Sequence, residues 1–288
     1  MITFAKWALN NRCNLNCPFC VMSDIKDKEL SFEDKKKVMD KLYSMGVKSI
    51  DFFGKEPLVD DTVFYLMEYA SRKGYNFEYS LITNGVNIDW YYDIILVSPC
   101  NSITVSYDFS VERSFQTSLG LLGELSRYKF VELSIDVHKG HEKEIFKGVK
   151  EVHKKGIKSI YVKPILPYGS NAGNVSPMTE REFELFCNKL IRIKKRPYLF
   201  ISVPFEYPSM TTCYESVSGD TFQYLTDRRC SAGRDKMYIG CDGTVYGCGM
   251  IACNGIKTHT CNILTDDMET IERTIRTDGC RMCGVKQK

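Results

Sequence analysis

Asn10-Asn-Arg-Cys13-Asn-Leu-Asn-Cys17-Pro-Phe-Cys20 is the stretch whose reading decides the fold. Three thiols fall within eight residues, separated by three and then two residues, with no histidine or fourth cysteine nearby. A tight loop of that spacing can ligate three irons of a [4Fe-4S] cluster and leave the fourth iron open to a ligand that arrives later. Zinc is the competing reading, but zinc is usually four-coordinate and would need another donor close by.

The loop follows Phe4 to Leu9, a short apolar run rich in strand formers. Five more such runs follow: Val47 to Phe53, Phe77 to Ile82, Ile103 to Tyr107, Val131 to Val137 and Ser159 to Val162. Helical stripes separate them. Val38, Met39, Leu42 and Met45 share one face of a helix opening near Ser31 and stopping at Gly46, and Val63, Leu66, Met67 and Ala70 do the same before Gly74. Ile145, Val149 and Val152 form a stripe ending at Gly156, and Thr179-x-x-Glu182 is a capping box opening the helix after the sixth strand. Six β/α units in succession predict a parallel sheet covered by helices. Such sheets hold their ligands at the carboxyl ends of the strands, and the cysteine loop lies at one.

A chain of 288 residues that is 43% hydrophobic can bury one large core and a small appended unit. With 39 basic and 36 acidic residues the charge is too balanced for a surface that tracks phosphates, which argues against DNA and anionic membranes as partners. No run of 18 apolar residues and no signal peptide is visible, so the expectation is a cytoplasmic protein. Thirteen cysteines without an export signal point to metal or redox chemistry rather than to disulfides.

Cys13-x-x-x-Cys17-x-x-Cys20, with Phe19 just before the third cysteine, closely resembles the cluster loop of the radical S-adenosylmethionine (SAM) superfamily. The resemblance continues strand by strand. Gly54-Lys55-Glu56-Pro57 after the second run is similar to the family's Gly-Gly-Glu-Pro motif, whose backbone holds the amino group of SAM; Lys55 stands in place of the second glycine. Thr83-Asn84-Gly85 resembles the family's third strand end beside SAM, and Ser106-Tyr107-Asp108 resembles the Ser-x-Asp that meets the ribose. What the resemblance implies is an incomplete (β/α)6 barrel over residues 1–195, with SAM completing a cluster held by Cys13, Cys17 and Cys20. A flavodoxin- or ferredoxin-type protein would supply the electron. Lys163 and Tyr168, after the sixth run, either face the substrate or belong to a solvated loop. His138, His141 and His153 read as solvated, while Cys100 and Cys187 read as buried small hydrophobes.

Beyond residue 195 the alternation is expected to stop and cysteines become dense. Lys236 to Ile239 and Thr244 to Tyr246 flank Asp242-Gly243, a type I′ hairpin signal. A short helix is expected from about Thr265 to Arg276, before Cys280-Arg-Met-Cys283. This pattern resembles the auxiliary-cluster extension of radical SAM enzymes, in its shorter Twitch form, over residues 196–288. The longer SPASM form carries a further Cys-x-x-Cys-x5-Cys-x3-Cys run, absent from the sequence after Cys283. The resemblance implies one auxiliary [4Fe-4S] cluster on Cys230, Cys248, Cys280 and Cys283, with a zinc ribbon as the alternative. Cys213, Cys241, Cys253 and Cys261 remain over, and Cys253 is the best placed to return a hydrogen atom to a substrate radical, as a thiol does in epimerase members.

Three functions stay open. The first is a maturase that cross-links or epimerises a ribosomally made peptide, although strand one begins too early to leave a leader-binding domain before it. The second is a dehydrogenase or epimerase of a cyclitol or aminoglycoside, although no sugar-binding constellation is visible. The third is a non-catalytic iron-sulfur or zinc module, which would leave the Gly54 and Ser106 motifs unexplained.

Overall fold

β1 (Phe4–Ala8), β2 (Ser49–Phe53), β3 (Glu78–Thr83), β4 (Cys100–Ser106), β5 (Phe130–Val137) and β6 (Ser159–Pro164) pair in sequence order, all parallel. The computed structural model describes residues 1–109, 117–165, 167, 176–202, 232–254 and 260–275, and the backbone alone of 213–217 and 221–225. The helices are α1 (Phe32–Ser44), α2 (Thr62–Arg72), α3 (Ile88–Val97), α4 (Leu119–Leu125), α5 (Glu142–Lys154) and α6 (Glu180–Leu190). This is the partial β/α barrel expected from the sequence, and its sheet is open rather than closed.

Period-two alternation along the strands meets the helical stripes on one side of the sheet. Ala5, Trp7, Ile50, Phe52, Leu81, Ile103 and Val105 are buried with Val38, Met39 and Leu42 of α1 and Leu66 and Met67 of α2. Trp7 and Phe52 are wholly buried with ring centroids 5.8 Å apart, so cutting either to alanine would cost about 3–5 kcal/mol. Local signals set the helix ends. Ser31 accepts the Asp34 N–H at 3.1 Å at the start of α1, and Thr179 and Glu182 form the full capping box at α6.

The opposite face of the sheet is polar. The Ser80 and Ser102 hydroxyls are 2.7 Å apart, Ser159 donates to Glu132 at 2.8 Å, and Lys163 pairs with Asp136 at 2.8 Å. Complete β/α barrels fill this space with layers of branched apolar side chains. Here the residues line a lumen instead.

The sheet does not stop at residue 195. β7 (Tyr198–Ile201) continues it parallel to β6, where the alternation was expected to end; its apolar run is only four residues long, and Leu199 and Ile201 are buried. β8 (Cys213–Val217) and β9 (Thr221–Leu225) follow antiparallel. The chain then crosses to the other edge, where β10 (Lys236–Ile239) lies parallel to β1, and β11 (Thr244–Tyr246) and β12 (Cys261–Asn262) add antiparallel strands. Short helices α7 (Gly249–Cys253) and α8 (Met268–Thr274) complete the segment, α8 being shorter than the span expected.

The Asp242-Gly243 hairpin forms, but not through a type I′ turn. Gly243 alone takes a positive φ, +83°, whereas type I′ requires it of Asp242 as well. Gly240 still donates to the Thr244 carbonyl at 2.8 Å while its own carbonyl accepts the Gly243 N–H at 3.0 Å, which gives a three-residue loop, Cys241-Asp242-Gly243. Among the described residues no helix is long and apolar enough to cross a membrane.

Candidate functional site

Residues 10–29 leave β1 and cross the carboxyl ends of the strands, held by bonds to several elements. Asn10 Nδ2 donates to the Glu56 carbonyl at 2.8 Å, Asn11 Nδ2 to the Asp27 carbonyl at 2.6 Å, and Arg12 pairs with Glu29 at 3.0 Å and also with Asp60. Lys55 Nζ donates to the Ser23 carbonyl at 3.2 Å. The residue in place of the second glycine of the motif thus braces the far end of the cysteine loop.

Within that loop Cys13, Cys17 and Cys20 are free thiols, partly or fully exposed. Cys13 Sγ accepts the Leu15 N–H at 3.4 Å and Asn84 Nδ2 at 3.7 Å, and Cys20 Sγ accepts the Met22 N–H at 3.4 Å. Among the described residues no three such side chains converge as ligands of a single ion. Cluster ligands each bind a different iron, so a cubane does not need the convergence on one ion that zinc would.

The three strand ends read from the sequence meet this loop. Gly54 has φ +137°, and a Cβ there would lie 3.1 Å from the Asn10 carbonyl oxygen, so glycine is required by both backbone and space. Glu56 is wholly buried; its carboxylate accepts the Thr83 hydroxyl at 2.7 Å and the N–H groups of Asn84 at 2.7 Å and Leu58 at 2.8 Å. Burial pushes its pKa up, and those three bonds oppose the rise. Pro57 opens the 3-10 turn to Val59, capped by Glu56. Asn84 Nδ2 also donates to Asn14 Oδ1 at 2.7 Å, tying β3 to the cysteine loop.

Ser106 is exposed at the end of β4. Asp108 lies 4.0 Å from His138 Nε2, and the His138 ring meets Phe19 edge-on at 5.0 Å. His138 is therefore not the solvated residue expected. The β5 strand ends at Val137 and delivers the next side chain to the mouth, beside the loop, and the strand-end rule applied to that run would have found it. His141 and His153 are exposed, and Cys100 and Cys187 are buried, as read. Lys163 is bound to Asp136 and to Ser134 Oγ at 3.1 Å rather than solvated; Tyr168 lies outside the described residues.

Of the second cysteine set, Cys230, Cys280 and Cys283 lie outside the described residues, as does the Cys213 side chain. Cys248 caps α7, accepting the Met250 N–H at 3.4 Å, and Cys253 ends that helix. Cys253 packs, as Cys20 and Phe53 do, against the cluster of Ala8, Met22, Tyr238 and Tyr246, and burial pushes its thiol up to about 11. The two cysteine regions thus approach each other at the β1 edge. Cys241 donates to the Asp27 carbonyl at 3.6 Å and is used in packing, and Cys261 packs against the core.

A three-thiol loop at the carboxyl ends of an open parallel β/α sheet defines the class: an iron-sulfur protein built on a partial barrel. The profile described as the Radical SAM superfamily matches residues 7–176, and the chain belongs to that superfamily. Its fold is similar to SuiB of Streptococcus suis bound to precursor peptide SuiA, with TM-score 0.73 and 14% identity over 96% of this chain and 65% of that one. It is also similar to anSMEcpe with bound AdoMet and a Cp18Cys peptide, with TM-score 0.68 and 17% identity over 94% of this chain and 79% of that one. In sequence it is 27% identical over 120 residues to GTP 3',8-cyclase of Chlorobaculum tepidum. That match spans 41% of this chain and only 36% of the relative. Membership implies a [4Fe-4S] cluster and SAM.

Proposed function

We propose that this chain is a radical SAM enzyme acting on a carbon of a ribosomally made peptide. The observation that carries the reading is the tie from Cys13 and Asn14 to Asn84, which joins the three-thiol loop to the strand ends where SAM would bind. Cys13, Cys17 and Cys20 would hold the cluster, and Phe19, Gly54, Lys55, Glu56, Pro57, Thr83, Asn84, Ser106 and Asp108 would shape the SAM site. When bound, the cluster and SAM together supply a 5′-deoxyadenosyl radical able to abstract hydrogen. Within that site Gly54 keeps the backbone close to the loop, and Glu56 holds Asn84 in place from beneath.

A peptide substrate is supported by the likeness, over nearly the whole chain, to proteins solved with a precursor peptide and a peptide. The cyclase relatives match less than half of the chain, and their small-molecule chemistry is the second reading. Residues 196–288 are proposed as the auxiliary-cluster unit, with Cys230, Cys248, Cys280 and Cys283 as ligands. Cys253 is proposed as the thiol that returns hydrogen, supported by its packing against the same apolar cluster as Cys20 and Phe53.

The test is anaerobic reaction of the reconstituted enzyme in D2O with any short peptide encoded beside its gene, followed by mass spectrometry. A gain of one mass unit at carbon supports epimerisation by a thiol, and a loss of two supports cross-linking or oxidation. Unchanged peptides from an enzyme that cleaves SAM would overturn the peptide reading and favour a small molecule.

A further inference from the structure

Among the described residues Lys6 is a strand lysine without a close ion pair. It sits in the middle of β1, on the face opposite Trp7, with Asp51 of β2 and Tyr238 of β10 as its cross-strand neighbours. Its Nζ lies 4.8 Å from the Phe53 ring centroid. Among the described residues it has no carboxylate within ion-pair distance, Asp51 included, and it makes no hydrogen bond. Lys163, five strands away along the sheet, lies on the same, non-core face, since Val162 and Pro164 beside it are buried as Ala5 and Trp7 are beside Lys6.

We propose that Lys6 is the anchor of a substrate subsite that takes a carboxylate, with Lys163 adding positive field from the opposite wall. This rests on the peptide reading above and deepens it, by naming a carboxylate on that peptide. The two lysines are not equivalent. Lys163 is already bonded to Asp136 and Ser134, whereas Lys6 makes no such bond among the described residues. A single ammonium matches one carboxylate, whereas a phosphate dianion calls for more than one cation. The aromatic face of Phe53 holds the ammonium without neutralising it. Burial lowers the Lys6 pKa and the charge of Asp51 opposes that shift, while the residue as a whole stays partly exposed.

Depth agrees with this role. Lys6 lies two residues before Ala8, roughly 7 Å below the strand end at about 3.3 Å per residue. A group bound there would project into the lumen from a substrate backbone held near the cysteine loop. Cys253 and Phe53 pack against one apolar cluster at the same edge. The carboxylate could be an internal Asp or Glu side chain or a peptide C-terminus, and the two demand different neighbours.

Equilibrium dialysis of the reconstituted, SAM-loaded protein decides the matter with three probes. N-acetylglutamate α-amide mimics an internal side chain, N-acetylglycine mimics a C-terminus, and N-acetylglutamine amide is the neutral control. Wild type should bind one carboxylate probe about tenfold more tightly than the neutral one, Lys6→Met should lose that preference, and Lys6→Arg should keep most of it. Should Lys6→Met not fold, acetic anhydride labelling of wild type serves instead: the carboxylate probe should slow acetylation of Lys6, and the neutral probe should not. Equal binding of charged and neutral probes, or a Lys6→Met protein with its preference intact, overturns the subsite. A wild type that cleaves SAM but ignores probe charge sinks only the subsite. One that prefers carboxylates through Lys6 but never cleaves SAM sinks only the radical reading.

Discussion

The Glu56 carboxylate accepts the backbone N–H of Asn84 at 2.7 Å, joining the end of β2 to the end of β3 beneath the cysteine loop. Both partners are fixed by further bonds, Glu56 to Thr83 and Leu58 and Asn84 to Asn14. The loop that carries the thiols is therefore supported by a buried carboxylate that need not touch any ligand. Replacing Glu56 by Gln removes one acceptor and leaves a buried donor unmet, which should lower stability by about 1–3 kcal/mol. The apoprotein's urea midpoint measures this, and Thr83→Val, which spares the Asn84 bond, should cost less. A Glu56→Gln midpoint equal to wild type would show that the tie is not needed.

Gly54→Ala should be worse tolerated than its size implies. The φ of +137° is a region held almost only by glycine, and the new Cβ would press on the Asn10 carbonyl at 3.1 Å, three residues before Cys13. The expected cost is about 1–3 kcal/mol, with less iron retained after anaerobic reconstitution. Gly46→Ala, where a Cβ meets nothing within 4 Å, should retain iron normally.

Thiol reactivity should divide the cysteines. Iodoacetamide at pH 8 should alkylate Cys13, Cys17 and Cys20 in the apoprotein, because they are partly or fully exposed. Cys100 and Cys187 are buried, with thiols pushed up to about 12, and should react only after unfolding. Peptide mapping reads the pattern, and early labelling of Cys187 would contradict the packing of α6.

Acid should weaken the start of α6. Lys139 at 2.7 Å, then the Thr179 N–H and hydroxyl, hold the Glu182 carboxyl down to about 2. A depressed carboxyl contributes stability that is present above its ordinary value of 4.5 and lost as pH falls through about 2. Stability should thus decline between those limits, and by less in Glu182→Gln. Carbon-detected NMR titration of the carboxyl gives the value directly, and a midpoint near 4.5 would show that the box is not formed.

The six parallel strands and most helices were legible because period-two runs alternate with period-3.6 stripes and end at glycine or a capping box. Cys13, Cys17 and Cys20 were legible because their spacing is local. β7 was missed because Tyr198–Ile201 is only four residues long and its strand character comes from pairing with β6. The Asp242-Gly243 turn type was misread because the loop length is set by where β10 and β11 stop pairing, which is a tertiary matter. Lys6 and His138 were overlooked as well. His138 is the residue just past an apolar run, where the strand-end rule would have placed it at the mouth, whereas Lys6 is a lone charge within a run whose facing side only the assembled sheet shows.

The measurement that tests the central claim most directly is 5′-deoxyadenosine formation by the anaerobically reconstituted protein with dithionite and SAM. The account predicts product from wild type and essentially none from Cys17→Ala. A Cys17→Ala protein that makes as much as wild type, or a wild type with its full iron that makes none, would contradict it.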